Sequence, residues 1–203
     1  MRTALAAIAG AALLMISGIV MTGIYLRTTG LNARGTAGVM ETRLARAARR
    51  LAIPGMERER KNPVPESEEA IADGMMHFAD HCASCHGNDG RGQTEMGRGL
   101  YPKAPDMRLP ETQALSDGEL FYIIDNGVRF TGMPAFGTGT AAGDESTWRL
   151  VHFVRHLPRL TADELQRMES VNPRSPEEIR QEIEEQQFLQ GGGDLPPASS
   201  PQR

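Results

Sequence analysis

The sequence predicts an all-α protein with an amino-terminal transmembrane helix, a domain of three main helices and long loops, and a helical carboxy-terminal extension. Three observations carry that expectation. An uncharged run of 23 residues lies near the start, three Ser/Thr-x-x-Glu capping boxes punctuate the second half, and no segment shows a convincing alternation of strand period. At 203 residues and 39% hydrophobic content, the chain has material for one core of ordinary size plus extensions. The expected divisions are 1–26 as anchor or uncleaved signal, 27–66 as a basic linker, 67–160 as the main domain, and 161–203 as extension and disordered tail.

The anchor comes first. Ala4 to Leu26 carries no charge and lies between Arg2 and Arg27. As a helix it spans about 34 Å at ~1.5 Å per residue, enough to cross a bilayer. A cleaved signal has a shorter apolar core and a small-residue cleavage site, whereas "SGIVMTGIYLR" stays apolar to the arginine, which favours an uncleaved anchor. No other segment is apolar enough to surround this helix in a soluble core.

The next stretch is basic. Residues 27–61 hold nine Lys and Arg, so the formal charge of −4 divides into about +7 over residues 1–61 and about −11 over 62–203. The acidic second part argues against nucleic acid as a partner, because phosphate binding needs clustered Lys and Arg on the binding domain. Met40, Leu44, Ala47, Ala48 and Leu51 recur at helical spacing, with Arg43, Arg46, Arg49 and Arg50 mostly off that face. Such a helix can rest on anionic lipid, dock to a neighbouring subunit, or serve as a solvated linker. Pro54, Pro63 and Pro65 then predict an extended connection.

Ser67 is a fair N-cap for the first helix of the main domain, which carries Ile71, Met75 and Phe78 on one face and ends at the cysteines. Ser116 with Glu119 boxes the start of a second helix, which Gly127 stops. A third is expected from near Asp144 through Trp148, Val151 and Val154 to Pro158. Thr161 with Glu164 and Ser175 with Glu178 open two more helices before the compositionally disordered "GGGDLPPASSPQR". Gly87 to Leu115 is rich in Gly and Pro and too irregular to make a core alone. A large apolar cofactor would give those loops something to pack on.

That cofactor has a candidate attachment point. Residues 78–92 read "FADHCASCHGNDGRG" and hold both cysteines of the chain. A disulfide across two residues closes almost no loop, a structural zinc site needs a second ligand pair that is missing nearby, and a redox dithiol wants a βαβ setting. Haem fits, because in C-x-x-C-H two thiols can add to the two vinyl groups of one porphyrin while the adjacent imidazole reaches iron. His152 and His156 share a helix face at i, i+4 but read better as surface histidines than as metal ligands. A second iron ligand is expected from a later loop. Met133, in "NGVRFTGMPAFG" and 47 residues after His86, is preferred over Met96 and Met107; its thioether would raise the potential.

Together "GMMHFADHCASCHGNDGRG", "YPKAPDM", "LSDGELFYIIDNGVRFTGMPAFG" and "WRLVHFVRHL" resemble a membrane-anchored class I c-type cytochrome with one haem, over about residues 68–160. The resemblance implies thioether bonds at Cys82 and Cys85, His86 as proximal and Met133 as distal iron ligand, and a Pro105 carbonyl receiving the His86 ring N–H, with Pro102 as the alternative. It also implies that Gly74 lets the first helix cross closely over the third.

With both axial positions filled, the expectation is one covalent haem c in an electron carrier, not an enzyme, with no small-molecule substrate. Its partners would be the membrane and redox proteins, a membrane oxidoreductase complex among them. Glu95, Asp106, Glu111 and Asp117 read either as an acidic docking face or as solvated charge. Haem attachment belongs to the oxidising side of a membrane, so the expected place is a bacterial inner membrane, crossed once, with the haem domain periplasmic. That orientation runs against the tendency of basic residues to stay cytoplasmic. Two rival classes are a docking subunit of a larger oxidoreductase and a peroxidatic or ligand-binding haem protein in which Met133 leaves the iron.

Overall fold

The structure, a computed structural model, describes residues 2–30, 32–174 and 176–189. Among these residues the protein is all-helical. The first helix, α1 (Arg2–Thr29), includes a span from Ile8 to Thr28 of 21 residues with mean hydropathy 1.9, none of it buried. By length and composition it is long and apolar enough to cross a membrane. Then come α2 (Val39–Ala52) and the short α3 (Gly55–Glu59), whose residues were expected to be extended.

The core is the crossing of α4 (Glu68–His81) with α9 (Ala141–His156). Ser67 caps α4 by accepting the Ala70 N–H, and the apolar positions Met75, Phe78 and Ala79 all turn inward. At the crossing, a Cβ on Gly74 would lie 2.2 Å from the Arg149 carbonyl oxygen, so any other residue would force the helices apart. The close approach seats Phe78 on Phe153 with ring centroids 5.1 Å apart. Both are fully buried, which stabilises the fold by about 1.5–3 kcal/mol for each such side chain. The third wall is α8 (Asp117–Asn126), opened by the Ser116–Glu119 capping box, whose Phe121 stacks on Trp148 of α9 at 4.2 Å.

Between α4 and α8 lie three short helices: α5 (Ala83–His86), α6 (Glu95–Gly99) and α7 (Pro110–Gln113). Helix α9 begins at Ala141, three residues before Asp144, because Thr140 caps it by accepting the Gly143 N–H. The first turn is Ala141, Ala142 and Gly143, small residues that give no apolar period to read.

The chain before Ser67 is already part of the domain surface. Helix α3 lies on α8 so closely that a Cβ on Gly118 would meet the Glu57 carbonyl oxygen at 1.9 Å. Arg60 sits over the Phe121 ring at 4.4 Å and the Trp148 ring at 5.2 Å, Asn62 Nδ2 donates to the Trp148 carbonyl, and His152 Nε2 meets the Val64 carbonyl at 2.8 Å. Residues 53–66 therefore form a strap over α8 and α9.

On the far side, α10 (Ala162–Glu169) opens with the Thr161–Glu164 box and buries Met168 completely. His156 Nε2 meets Glu164 Oε1 at 2.9 Å, so His152 and His156 serve separate partners. The last described helix is α11 (Pro176–Leu189), with Ile179, Ile183, Phe188 and Leu189 exposed. Ser175 of the expected third capping box and the tail 190–203 lie outside the described residues.

Candidate functional site

The C-x-x-C-H segment is a single helical turn set against the core. Cys82 closes α4, its N–H donating to the Phe78 carbonyl at 2.8 Å, and its own carbonyl then accepts from His86 N at 2.9 Å. Cys82 and Cys85 are three apart in this turn and so share one side of it. Gly87, at φ 71°, ends the helix and sends the chain away. Both thiols are unpaired and half-buried. Burial, and after it the neighbouring Cys85, pushes the Cys82 thiol up to about 12.

The next loop is laced onto this turn. Thr94 Oγ1 donates to the Cys85 carbonyl at 3.0 Å and accepts from Gly97 N at 2.8 Å, while Gly92 N donates to the His86 carbonyl at 2.7 Å. Two glycines permit it. A Cβ on Gly97 would stand 2.1 Å from the Cys85 carbonyl oxygen, and one on Gly92, at φ 68°, 2.3 Å from that of Ala104. Met107 N reaches the Gly90 carbonyl, and Gln113 Nε2 donates to the carbonyls of Met107 and Val154, which fixes the loop's return to α9.

His86 faces inward, with the Phe78 ring 6.4 Å away. Burial lowers its imidazole below the ordinary value, and the Pro105 carbonyl, as an acceptor, works in the opposite direction. Nδ1 is buried and closes no hydrogen bond of ordinary geometry; Pro105 is near enough to act electrostatically without completing one. Lowering favours the neutral imidazole, the form that offers a lone pair to a metal. Pro102 follows the cis Tyr101–Pro102 bond and, like Pro105, is exposed.

Met133 comes from the loop after α8. Gly127, at φ 67°, turns the chain there, and a Cβ on it would meet the Pro134 backbone at 2.6 Å. Val128 N donates to the Met133 carbonyl at 3.1 Å, Thr131 Oγ1 donates to the Val128 carbonyl at 2.7 Å, and Met133 N donates to Thr131 Oγ1 at 3.2 Å. Gly132 lies against Leu100, which brings this loop to the one already tied to Cys85. Met133 and Met107 are both half-buried against the core, whereas Met96 is 57% exposed on α6.

The four acidic residues considered for docking divide. Asp106 pairs with Arg108 at 2.6 Å, Glu111 with Arg46 at 3.8 Å and Asp117 with Arg155 at 2.8 Å, leaving Glu95 in the first turn of α6. Sequence reasoning missed the parts played by Thr94, Gly92 and Gly97, which bind loop to attachment turn. Their one signal is the density of glycine after the histidine.

The donor set suits a haem. Two unpaired thiols share one side of a turn, a half-buried imidazole with its Nδ1 enclosed lies beside them, and a thioether stands on a tethered loop. Among the described residues no cluster of three or more His, Cys, Asp and Glu could hold a bare metal ion. Residues 69–154 match the family model described as cytochrome c oxidase, cbb3-type, subunit III. No curated protein matches the chain.

Proposed function

We propose that the c-type cytochrome domain of residues 69–154 carries electrons one at a time between extracytoplasmic redox partners while α1 holds it on the membrane. The observation that carries this reading is the C-x-x-C-H turn, which continues from the end of α4 inside the matched segment. Cys82 and Cys85 would hold one haem c through thioether bonds, and His86 and Met133 would supply the nitrogen and sulfur donors to its iron. The bound haem supplies one-electron chemistry at iron.

The chain's own groups do the rest. The α4–α5 turn fixes where His86 presents its ring, Pro105 biases the tautomer from behind it, and the Thr131-closed loop holds the Met133 thioether at a set position. Buried Phe78 and Phe153 exclude water from the His86 side. With His86 and Met133 both committed as donors, these residues would leave no open position for a substrate, which suits electron transfer. Anchoring to the membrane plane raises the effective concentration of nearby partners.

A second reading has a specific observation in its favour. The matched family is a subunit of an oxidase, so the protein also fits a haem-bearing subunit docked to a larger membrane oxidoreductase, of a bacterial inner membrane with its haem domain periplasmic. Purification with membrane neighbours intact separates the two, since a free carrier comes off alone.

The test of the haem assignment is covalency. Haem stays with the polypeptide through denaturation and acidic organic extraction, and Cys82→Ala with Cys85→Ala abolishes that retention. Extraction of haem from the unmutated protein would sink the reading.

A further inference from the structure

Helix α2 is turned the wrong way round for a helix in water. Its apolar stripe faces outward, with Met40 76%, Leu44 70% and Leu51 86% exposed, and Met56 of α3 continues it at 83%. Its polar side faces the domain. Glu41 accepts from Tyr101 Oη at 2.6 Å, Arg46 stands 3.8 Å from Glu111, and half-buried Arg49 lies within electrostatic reach of Glu119. A surface helix in water puts its apolar stripe on the core and its arginines outside. The grip on the domain is also incomplete, because Arg49 Nε is buried with no hydrogen-bond partner. The outward stripe is matched to an apolar surface beyond the domain.

Chain length says which surface. Only residues 30–38 separate the end of α1 from Val39, so α2 starts within about 35 Å of the anchor's end at ~3.5 Å per residue. Charge agrees. Arg43 and Arg50 are exposed and fall on one flank of the stripe, where a helix lying in a bilayer surface keeps its basic side chains among the headgroups. A protein subunit would be met by aromatic anchors in pockets; this stripe has Ala47 and Ala48 in its middle and no aromatic residue.

We propose that α2 is an interfacial helix that sets Met40, Leu44 and Leu51 into the leaflet next to the haem domain, with Arg43 and Arg50 on anionic phospholipid headgroups. The proposal rests on the reading of α1 as a membrane anchor. Its consequence is that the domain meets the bilayer through a fixed face.

Hydrogen exchange over residues 39–52 tests it, using the full-length haem-loaded protein in nanodiscs of phosphatidylcholine alone or with phosphatidylglycerol. Each basic side chain near an anionic surface contributes about fivefold to binding. The α2 amides therefore exchange at least about tenfold more slowly in the anionic discs. Leu44→Glu with Leu51→Glu removes that protection, Arg43→Gln with Arg50→Gln removes its dependence on phosphatidylglycerol, and haem absorbance is unchanged in both. Equal exchange in the two discs overturns the proposal. Protection that appears only when a co-purifying membrane protein is added assigns the stripe to a subunit and overturns it as well. Flotation of the discs after a high-salt wash is read first: protein lost there means that α1 is no anchor, a failure distinct from that of α2.

Discussion

The segment carrying Cys82, Cys85 and His86 is a helix turn, whereas the one carrying Met133 is a loop that closes on itself through four hydrogen bonds. In the turn, i, i+3 and i, i+4 geometry sets where the side chains stand, and the backbone ladder of α4 continues into it. In the loop, position depends on Gly127 at its neck, Thr131 across it, and Gly132 against Leu100. Of the two proposed ligands, His86 is placed by a local rule that a whole helix enforces. The other is placed by contacts that can be loosened one at a time.

The largest effect that exploits this difference belongs under the turn. Gly97→Ala puts a methyl 2.1 Å from the Cys85 carbonyl, backbone against backbone, so the attachment turn must move. The expected outcome is little or no mature protein with covalent haem, read by haem staining after denaturing electrophoresis. On the loop side, Met133→Ala leaves attachment intact but opens one iron position. The potential falls by on the order of 100 mV, within the ~0.8 V range that axial ligands command, and the ferrous protein binds carbon monoxide. Met133→His lowers the potential while keeping the site closed, and the same changes at Met96 and Met107 do neither. Potentiometry with carbon monoxide difference spectra checks all of these.

A gentler cut is Thr131→Val, which removes the hydroxyl bonds to Val128 and Met133 at a cost of about 1 kcal/mol each. Haem attachment stays complete, and only the fraction of protein with Met133 on iron drops, read from the absorbance band characteristic of methionine ligation in the oxidised state. If Thr131→Val instead impairs attachment, the two sides are not separately built.

The smallest effect concerns α10, remote from both. Burial alone would raise the Glu164 carboxyl, but the Thr161 N–H and hydroxyl, with His156, hold it below its ordinary value. Because the folded value is depressed, this stabilisation is present above the unfolded pKa of about 4.3 and is lost as pH falls through the folded value. Glu164→Ala costs about 1 kcal/mol at neutral pH, and the deficit against the unmutated protein shrinks towards acid in melts from pH 7 to pH 3.

What the sequence made legible follows the same local rule. Ser116 with Glu119, and Thr161 with Glu164, are capping boxes because three residues of spacing suffice to make them. The Cys82–His86 turn, the α4 face and Gly74 at the crossing were readable for similar reasons, the last through resemblance. The start of α9 was not, because Thr140 caps a turn of small residues. Nor was the strap 53–66, whose place depends on Arg60 reaching Phe121 and Trp148, some 60 to 90 residues away. Prolines there read as an extended linker, while the long-range stacking that fixes it leaves no periodic trace.

The strap changes what kind of tether joins the anchor to the haem domain. Were 27–66 all flexible, its 40 residues would hold the domain at a mean distance of about 35 Å, taking ~5.5 Å times the square root of the residue number. With the strap seated on α8 and α9, and α2 leading straight into it through buried Ile53, only residues 30–38 are left between helices. Nine residues give a mean reach of about 17 Å, and the volume swept contracts roughly ninefold. The domain is thus a short-leashed reader of its immediate surroundings. On the proposed reading, with α1 in a membrane, a redox partner would have to come to it laterally or already be bound beside it, because a longer swing through the aqueous phase is beyond the leash.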